Sequence, residues 1–369
     1  MVRGISILTG LATIALGLGS ASLAAAGATA KPAAAAVTPA DVTETPLPVQ
    51  PFYEPYMAVD PVGQHVFVAA SEGTSSIYVL DFDGNLVKTI TGEQGASGMA
   101  VDTATHTLYV ADYDATAVAE IDTQTLTETA RFSTAPFSGV FSLAIAGGKL
   151  WMATAANGSG TVAVANLDGS DITDAGIGDR LPNLLASSAD GHLLAVGDHE
   201  SEPPNVSVYD VSGDTPSLVS HVWNPGGNAT SVDDITFDPS GSNVLLVAGS
   251  IHALSTSTLL SSASYPTSSF PTAVAVTADG NYVATGSSAI YNTYDLFVYP
   301  TGDTTPVASY AIGQGNNIMA HALAFSPDGS RLFALSRASN NDLALEVIDD
   351  PTLATTMTTL SAPEFVRYG

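Results

Sequence analysis

The chain has no cysteine, so disulfides, thiolate catalysis and cysteine-based zinc sites are excluded. Basic residues are scarce: nine lysines and arginines stand against 36 aspartates and glutamates in 369 residues, a formal net charge of −27. Such a surface repels nucleic acid and anionic membrane, and neither is expected as a partner. Charged residues make up only 12% of the chain and hydrophobic residues 45%, so a sizeable core can be buried. No G-x-S-x-G elbow, HExxH helix or phosphate-binding glycine loop with lysine occurs. Outside the first residues no polar-flanked stretch of ~20 apolar residues exists, so no integral membrane segment is expected.

What is present is a leader, then a repeat. Residues 1–30 read as a secretory signal peptide: Arg3 gives the positive start, Ile5 to Leu18 the apolar core, and Ala28-Thr29-Ala30 a small-x-small cleavage site. The expected address is secreted, with attachment to the cell surface as a further option. Residues 31–50, rich in Ala, Pro and Thr, read as an extended linker. The acidity fits plain solubility of an extracellular protein.

From residue 51 to 361 one pattern recurs seven times: an apolar alternation, a tight turn, a second apolar run, a polar gap, then two further runs. The copies open at Tyr56, Met99, Ser142, Leu184, Asp234, Ala273 and Ala322. Their first turns centre on Gly63, Thr105, Gly147, Gly191, Gly241, Gly280 and Gly329, spaced 39 to 50 residues apart. Pro or Asp starts most of these turns and Gly accepts positive φ. The third copy lacks the Pro/Asp signal. Four short antiparallel strands per copy predict an all-β, seven-bladed β-propeller of four-stranded antiparallel blades, inner strand first. Closure is expected from packing of the first blade on the last, unless residues 45–52 add a strand. Residues 362–369 do not continue the repeat. They read as a tail or as the start of a truncated immunoglobulin-like domain.

The phrases LYVAD…EIDTQT (from Leu108) and LAFSPDGSRLFAL (from Leu323) resemble the YVTN-type and WD-like repeats of bacterial propellers. The resemblance spans nearly the whole mature chain and implies the fold. Its implications for function are broad: surface-layer and adhesion modules, lactonases, lyases and substrate-binding domains.

Propeller ligands usually meet the ring at one end of the central channel. The between-blade connections there offer Glu93, Arg180, Asp233, Asp234 and His321; the within-blade loops offer Asp112, Asp198, His199, Glu200 and Arg337. The preferred reading is a non-catalytic, monomeric binding module for a protein, a glycan or a cell-wall component. The rival is a lactonase- or lyase-type enzyme at the channel mouth, with Arg180, His199, His321 and Asp234 as its acid–base set. Asp198-His199-Glu200 is a compact trio of ligand types. Calcium would suit its carboxylates and zinc its histidine, but no ligand spacing demands a metal, and no cofactor is expected. His65, His106 and His192 share one repeat position, which points to a structural or surface role.

Overall fold

The computed structural model describes residues 35–36, 42–51, 54–70, 73–154, 160–177, 182–198, 203–225, 227, 231–288, 294–312, 317–337 and 340–352. Among them are strands and turns and no helix, hence no helix long and apolar enough to cross a membrane. The strands form seven separate sheets, each built on four antiparallel strands. The inner strands are Tyr56–Asp60, Ala96–Asp102, Val140–Ala146, Pro182–Ser187, Asp234–Phe237, Pro271–Val276 and Asn317–Phe325. Each touches the inner strand on either side, and the last touches the first, so the seven sheets close into a ring around a channel. The protein is a seven-bladed β-propeller, as the repeat predicted.

Side-chain alternation explains the stacking. In blade 1, Val66 and Val68 on strand His65–Ala69 face blade 7, whereas Phe67 and Ala69 face blade 2. Period-two alternation thus gives every blade two apolar faces, and neither can be left in water. The core accordingly consists of seven hydrophobic clusters, one at each blade–blade interface.

The irregular third copy has its own turn chemistry. Ala146 pairs directly with Lys149, leaving Gly147-Gly148 as a two-residue hairpin with both φ positive, 57° and 68°. That geometry suits the twist of flanking strands and favours glycine. In other copies an Asp caps the turn: Ser188, Thr277 and Ser326 each donate a hydroxyl to the Asp two residues on, at 2.5, 2.6 and 2.6 Å. Bonds from Ser326 and from the Ser330 backbone and hydroxyl hold the Asp328 carboxyl down at about 2. Part of the acidity is therefore turn chemistry.

The structure corrects the linker reading at one point. Residues Val42–Leu47 form a strand that pairs antiparallel with Leu343–Asp349, from Val42↔Ile348 to Leu47↔Leu343. Blade 7 therefore takes three strands from the end of the chain and its outer strand from the beginning. The sequence expectation of a fourth strand after Asp349 from the same copy is replaced by this one. Pro46 is tolerated because the strand lies at a sheet edge. Leu47 is buried in the blade 7–blade 1 cluster, Val42 packs on the blade 6–blade 7 cluster, and the Thr45 hydroxyl donates to the Gly84 carbonyl of blade 1 at 2.8 Å. Ahead of it, Ala35–Ala36 adds a parallel fifth strand to blade 6 along Ala308–Ser309. Residues 1–30 and 353–369, which carry the leader and tail readings, lie outside the described residues.

The closing pair contains a charge problem. Glu44 lies directly opposite Glu346, and Glu346 is buried (1% exposed), accepting a bond from the Ser336 hydroxyl at 2.7 Å. Burial pushes the Glu346 carboxyl up to about 8, against the Ser336 bond and with help from Glu44 and Asp295. Burial likewise pushes Asp295 up to about 7, opposed by the backbone N–H of Ile312. Both groups bind protons more tightly folded than unfolded, so their stabilising effect is full below the unfolded carboxylate pKa and is lost as pH rises through the folded values. Thermal melts of the protein should show Tm falling between about pH 5 and about pH 8, and Glu346→Gln should flatten that fall and raise Tm at the alkaline end. An unchanged slope in the variant would contradict this assignment.

Candidate functional site

The channel-mouth end of the inner strands is where the ladder is least regular. In five blades the pairing of inner and second strand slips there, at Ala96/Met99, Val140/Ser142, Pro182/Leu184, Pro271/Ala273 and Ile318/Leu323. The slip is largest in blade 7, where Ile318 opposes Ser336 and the next pair is Leu323 with Ala334. His321 sits in this bulge with φ of 52°, a left-handed backbone that costs a non-glycine residue about 1 kcal/mol. Bulges re-aim side chains, and this one brings His321 to the channel.

Four blades meet at His321. Its Nδ1 lies 3.0 Å from Oδ1 of Asp234 in blade 5. Asp234 also accepts the N–H of Ile235 at 2.9 Å and, through Oδ2, the N–H of Val274 in blade 6 at 2.9 Å. The Tyr56 ring of blade 1 stacks on the imidazole, centroids 5.6 Å apart and planes within 6°. The side chains are mostly buried, with exposures of 18% for His321 and 9% for Asp234. Burial disfavours a proton on His321. The bond and charge of Asp234, with the charges of Glu54 and Asp233, more than reverse this, and the imidazole titrates above its ordinary value.

Two cavities adjoin this group. One, of about 340 Å³, lies in the channel and is bounded by residues of all seven inner strands, among them Tyr56, Gly98, Ser142, Asp234 and His321. The ring is tight there: a Cβ on Gly98 would sit 2.5 Å from the Phe141 carbonyl oxygen of blade 3. The other, of about 600 Å³, opens across blades 5, 6 and 7 and is lined by Glu54, Asp233, Phe270, Thr272, Asn317 and Arg337, among others. Consecutive residues Asp233 and Asp234 line one each, as do Ala320 and His321.

The structure thus brings together Asp234 and His321, and sets Asp233 and Arg337 in the adjoining cavity. The Arg337 guanidinium donates to Asn341 Oδ1 at 3.3 Å. Glu93 and Asp112 belong elsewhere. Both are buried and held by Arg131 of the blade 2 outer strand, which contacts Asp112 and lies 2.9 Å from Glu93. Asp198 is buried and accepts from Asn205 Nδ2 at 3.1 Å. Arg180, His199 and Glu200 lie outside the described residues, so the proposed metal trio is described only at Asp198. Among the described residues no group of three His, Asp or Glu side chains is placed to hold a metal ion. Glu54 and Tyr56 escaped the sequence reading. Glu54 precedes the first inner strand and Tyr56 opens it, where no earlier blade marks the segment as a between-blade connection.

No protein-family model matches the sequence, and no curated protein matches it significantly. Among solved structures, a chain of Kuenenia stuttgartiensis hydrazine synthase superposes with a TM-score of 0.60 at 16% identity, covering 82% of this chain and 96% of that one. At that identity the likeness is one of fold.

Two outcomes check this geometry. Asp234→Asn should lower the His321 titration midpoint, followed by imidazole NMR, because the acceptor charge that holds the proton is gone. An unmoved midpoint would detach the two residues. Arg131→Met should destabilise the ring by about 3 kcal/mol in chemical denaturation, because two buried carboxylates lose their cation. A neutral result would free Glu93 and Asp112 as ligand candidates.

Proposed function

We propose that this chain is an exported binding propeller that takes its ligand at the blade 5–7 side of the channel mouth. The observation that carries the reading is the pair of adjoining cavities, joined along Asp233–Asp234 and Ala320–His321, the larger lined by charged and polar side chains from three blades and the segment before blade 1. Concave sites with a few convergent polar groups on a rigid scaffold are where ligands bind. The bulge at His321 adds local strain at the same place, which a purely architectural ring does not need. Export rests on the leader pattern of Arg3, the apolar core and Ala28-Thr29-Ala30. The repeat phrases support kinship with the YVTN-type propellers. A protein segment, a glycan or a cell-wall component would present groups that fit a mouth of this size.

A second reading has one observation in its favour. An imidazole hydrogen-bonded through Nδ1 to a buried carboxylate is the arrangement of a general base, and a lactonase or lyase would use it. Hydrazine synthase, the superposed neighbour, is an enzyme by name, but 16% identity carries no activity across.

Fragment binding followed by NMR separates these readings. Under the binding reading, fragments shift Thr272, Ser288, Asn317 and Arg337 and leave blade 2 unmoved, and a lactone and ester panel is not turned over. Fragment sites confined to other surfaces would overturn it. Turnover abolished by His321→Asn would establish the second reading instead.

A further inference from the structure

The mouth cavity contains an unmet hydrogen-bonding demand. Oε2 of Glu54 is buried and has no hydrogen-bond partner among the described residues, and Oγ1 of Thr272 is in the same condition. Both residues line the cavity of about 600 Å³. A carboxylate oxygen only accepts, so the group that completes Glu54 must be a donor. A buried acceptor left unmet is costly, and a cationic donor answers both its charge and its geometry. Asp233 lines the same wall, and Arg337 is the sole Lys or Arg among the described lining residues. The whole chain, at −27, draws cations and repels anions.

The rest of the wall mixes polar groups, Ser231, Ser288 and Asn317, with an apolar strip: Met319, Ala320 and Pro271 line it, and Phe270 stands at the rim 66% exposed with φ of 58°. An aromatic face held in that position offers a cation–π contact at the entrance and apolar cover for a methylene chain.

We infer that the mouth cavity binds a primary ammonium group on an apolar arm, with Glu54 as its counter-charge and Thr272 as a second hydrogen-bonding partner. The inference rests on the ligand-binding reading above and specifies its chemistry. A free alkylamine and a lysine side chain share that chemistry. Three ammonium N–H donors match the carboxylate and the hydroxyl, and the arm lies along Met319 beneath Phe270.

The test is calorimetric titration of the full chain with hexylammonium, with Nα-acetyl-lysine methylamide, and with hexanol and hexanoate as neutral and anionic controls. Hexylammonium should bind at least tenfold more tightly than either control and weaken as salt is raised, since part of the attraction is long-range. Tighter binding of the lysine amide than of hexylammonium identifies a peptide source, and the reverse identifies a free amine. Glu54→Gln should weaken ammonium binding at least tenfold, whereas Asp214→Asn, on the exposed blade 4 hairpin, should leave it unchanged. Glu54→Gln should also raise Tm without ligand, which shows that the variant folds and that burying the charge was the cost. Hexanol or hexanoate binding at the mouth as tightly as the ammonium would overturn this inference and leave the binding reading standing. Binding of none of the four, with no fragment at the mouth, would overturn both. Equal ammonium affinity in Glu54→Gln and the parent chain would remove Glu54 from the site.

Discussion

The ring depends on the pairing of Val42–Leu47 with Leu343–Asp349. Six of the seven blade-to-blade interfaces join blades adjacent in the chain and would form in an open arc as well as in a closed ring. This pairing stitches the beginning of the described propeller to its end, beside the blade 7–blade 1 apolar cluster and the Tyr56–His321 stack. It does so with backbone hydrogen bonds and with side chains that face both ways, Val42 toward blade 6 and Leu47 toward blade 1. It is also where burial and charge conflict, since Glu44 stands across from the buried Glu346. The other interfaces are held mainly by apolar packing, and the buried Asp295 of blade 6 shares the titratable load.

The site inherits its geometry from this closure. His321 belongs to blade 7, Tyr56 to blade 1 and Asp234 to blade 5, and their contacts require that blade 7 be seated against blade 1. A ring opened at its seam would separate Tyr56 from His321 before disturbing any other blade. The bulge that turns His321 toward the channel is affordable because the rest of blade 7 is paired on both sides of its second strand.

Much of the fold was legible in the sequence because propeller blades advertise themselves locally. Turns such as Pro327-Asp328-Gly329 and alternations such as His65–Ala69 are short-range signals, and Gly147-Gly148 supplied by another route the turn that the third copy lacked. The closing strand was legible only as an alternative, a strand added by residues 45–52, because VTETPL carries proline and threonine like a linker and its partner lies at the far end of the chain. The site divides along the same line. Asp234, His321, Asp233 and Arg337 could be named from loop position, but loop position does not show pairing. Glu93 and Asp112 were therefore grouped with them although Arg131, on an outer strand, holds both. Nothing in the residues around His321 announces a left-handed backbone.

The shared strand also fixes an order of events. Val42–Leu47 is synthesised before any blade, and its partner is the last described strand of the ring. While the blades are added in turn, each new one covers the apolar face of its predecessor, but the first face of blade 1, with Val66, Val68 and Leu80, has no neighbour until blade 7 exists. The nascent molecule is therefore an arc with a persistent apolar end and a waiting edge strand, the two features that promote association between unfinished chains. Such long-range closure is slow relative to local hairpins. The lifetime of the arc, more than the stability of any single blade, sets how safely the chain reaches its finished shape.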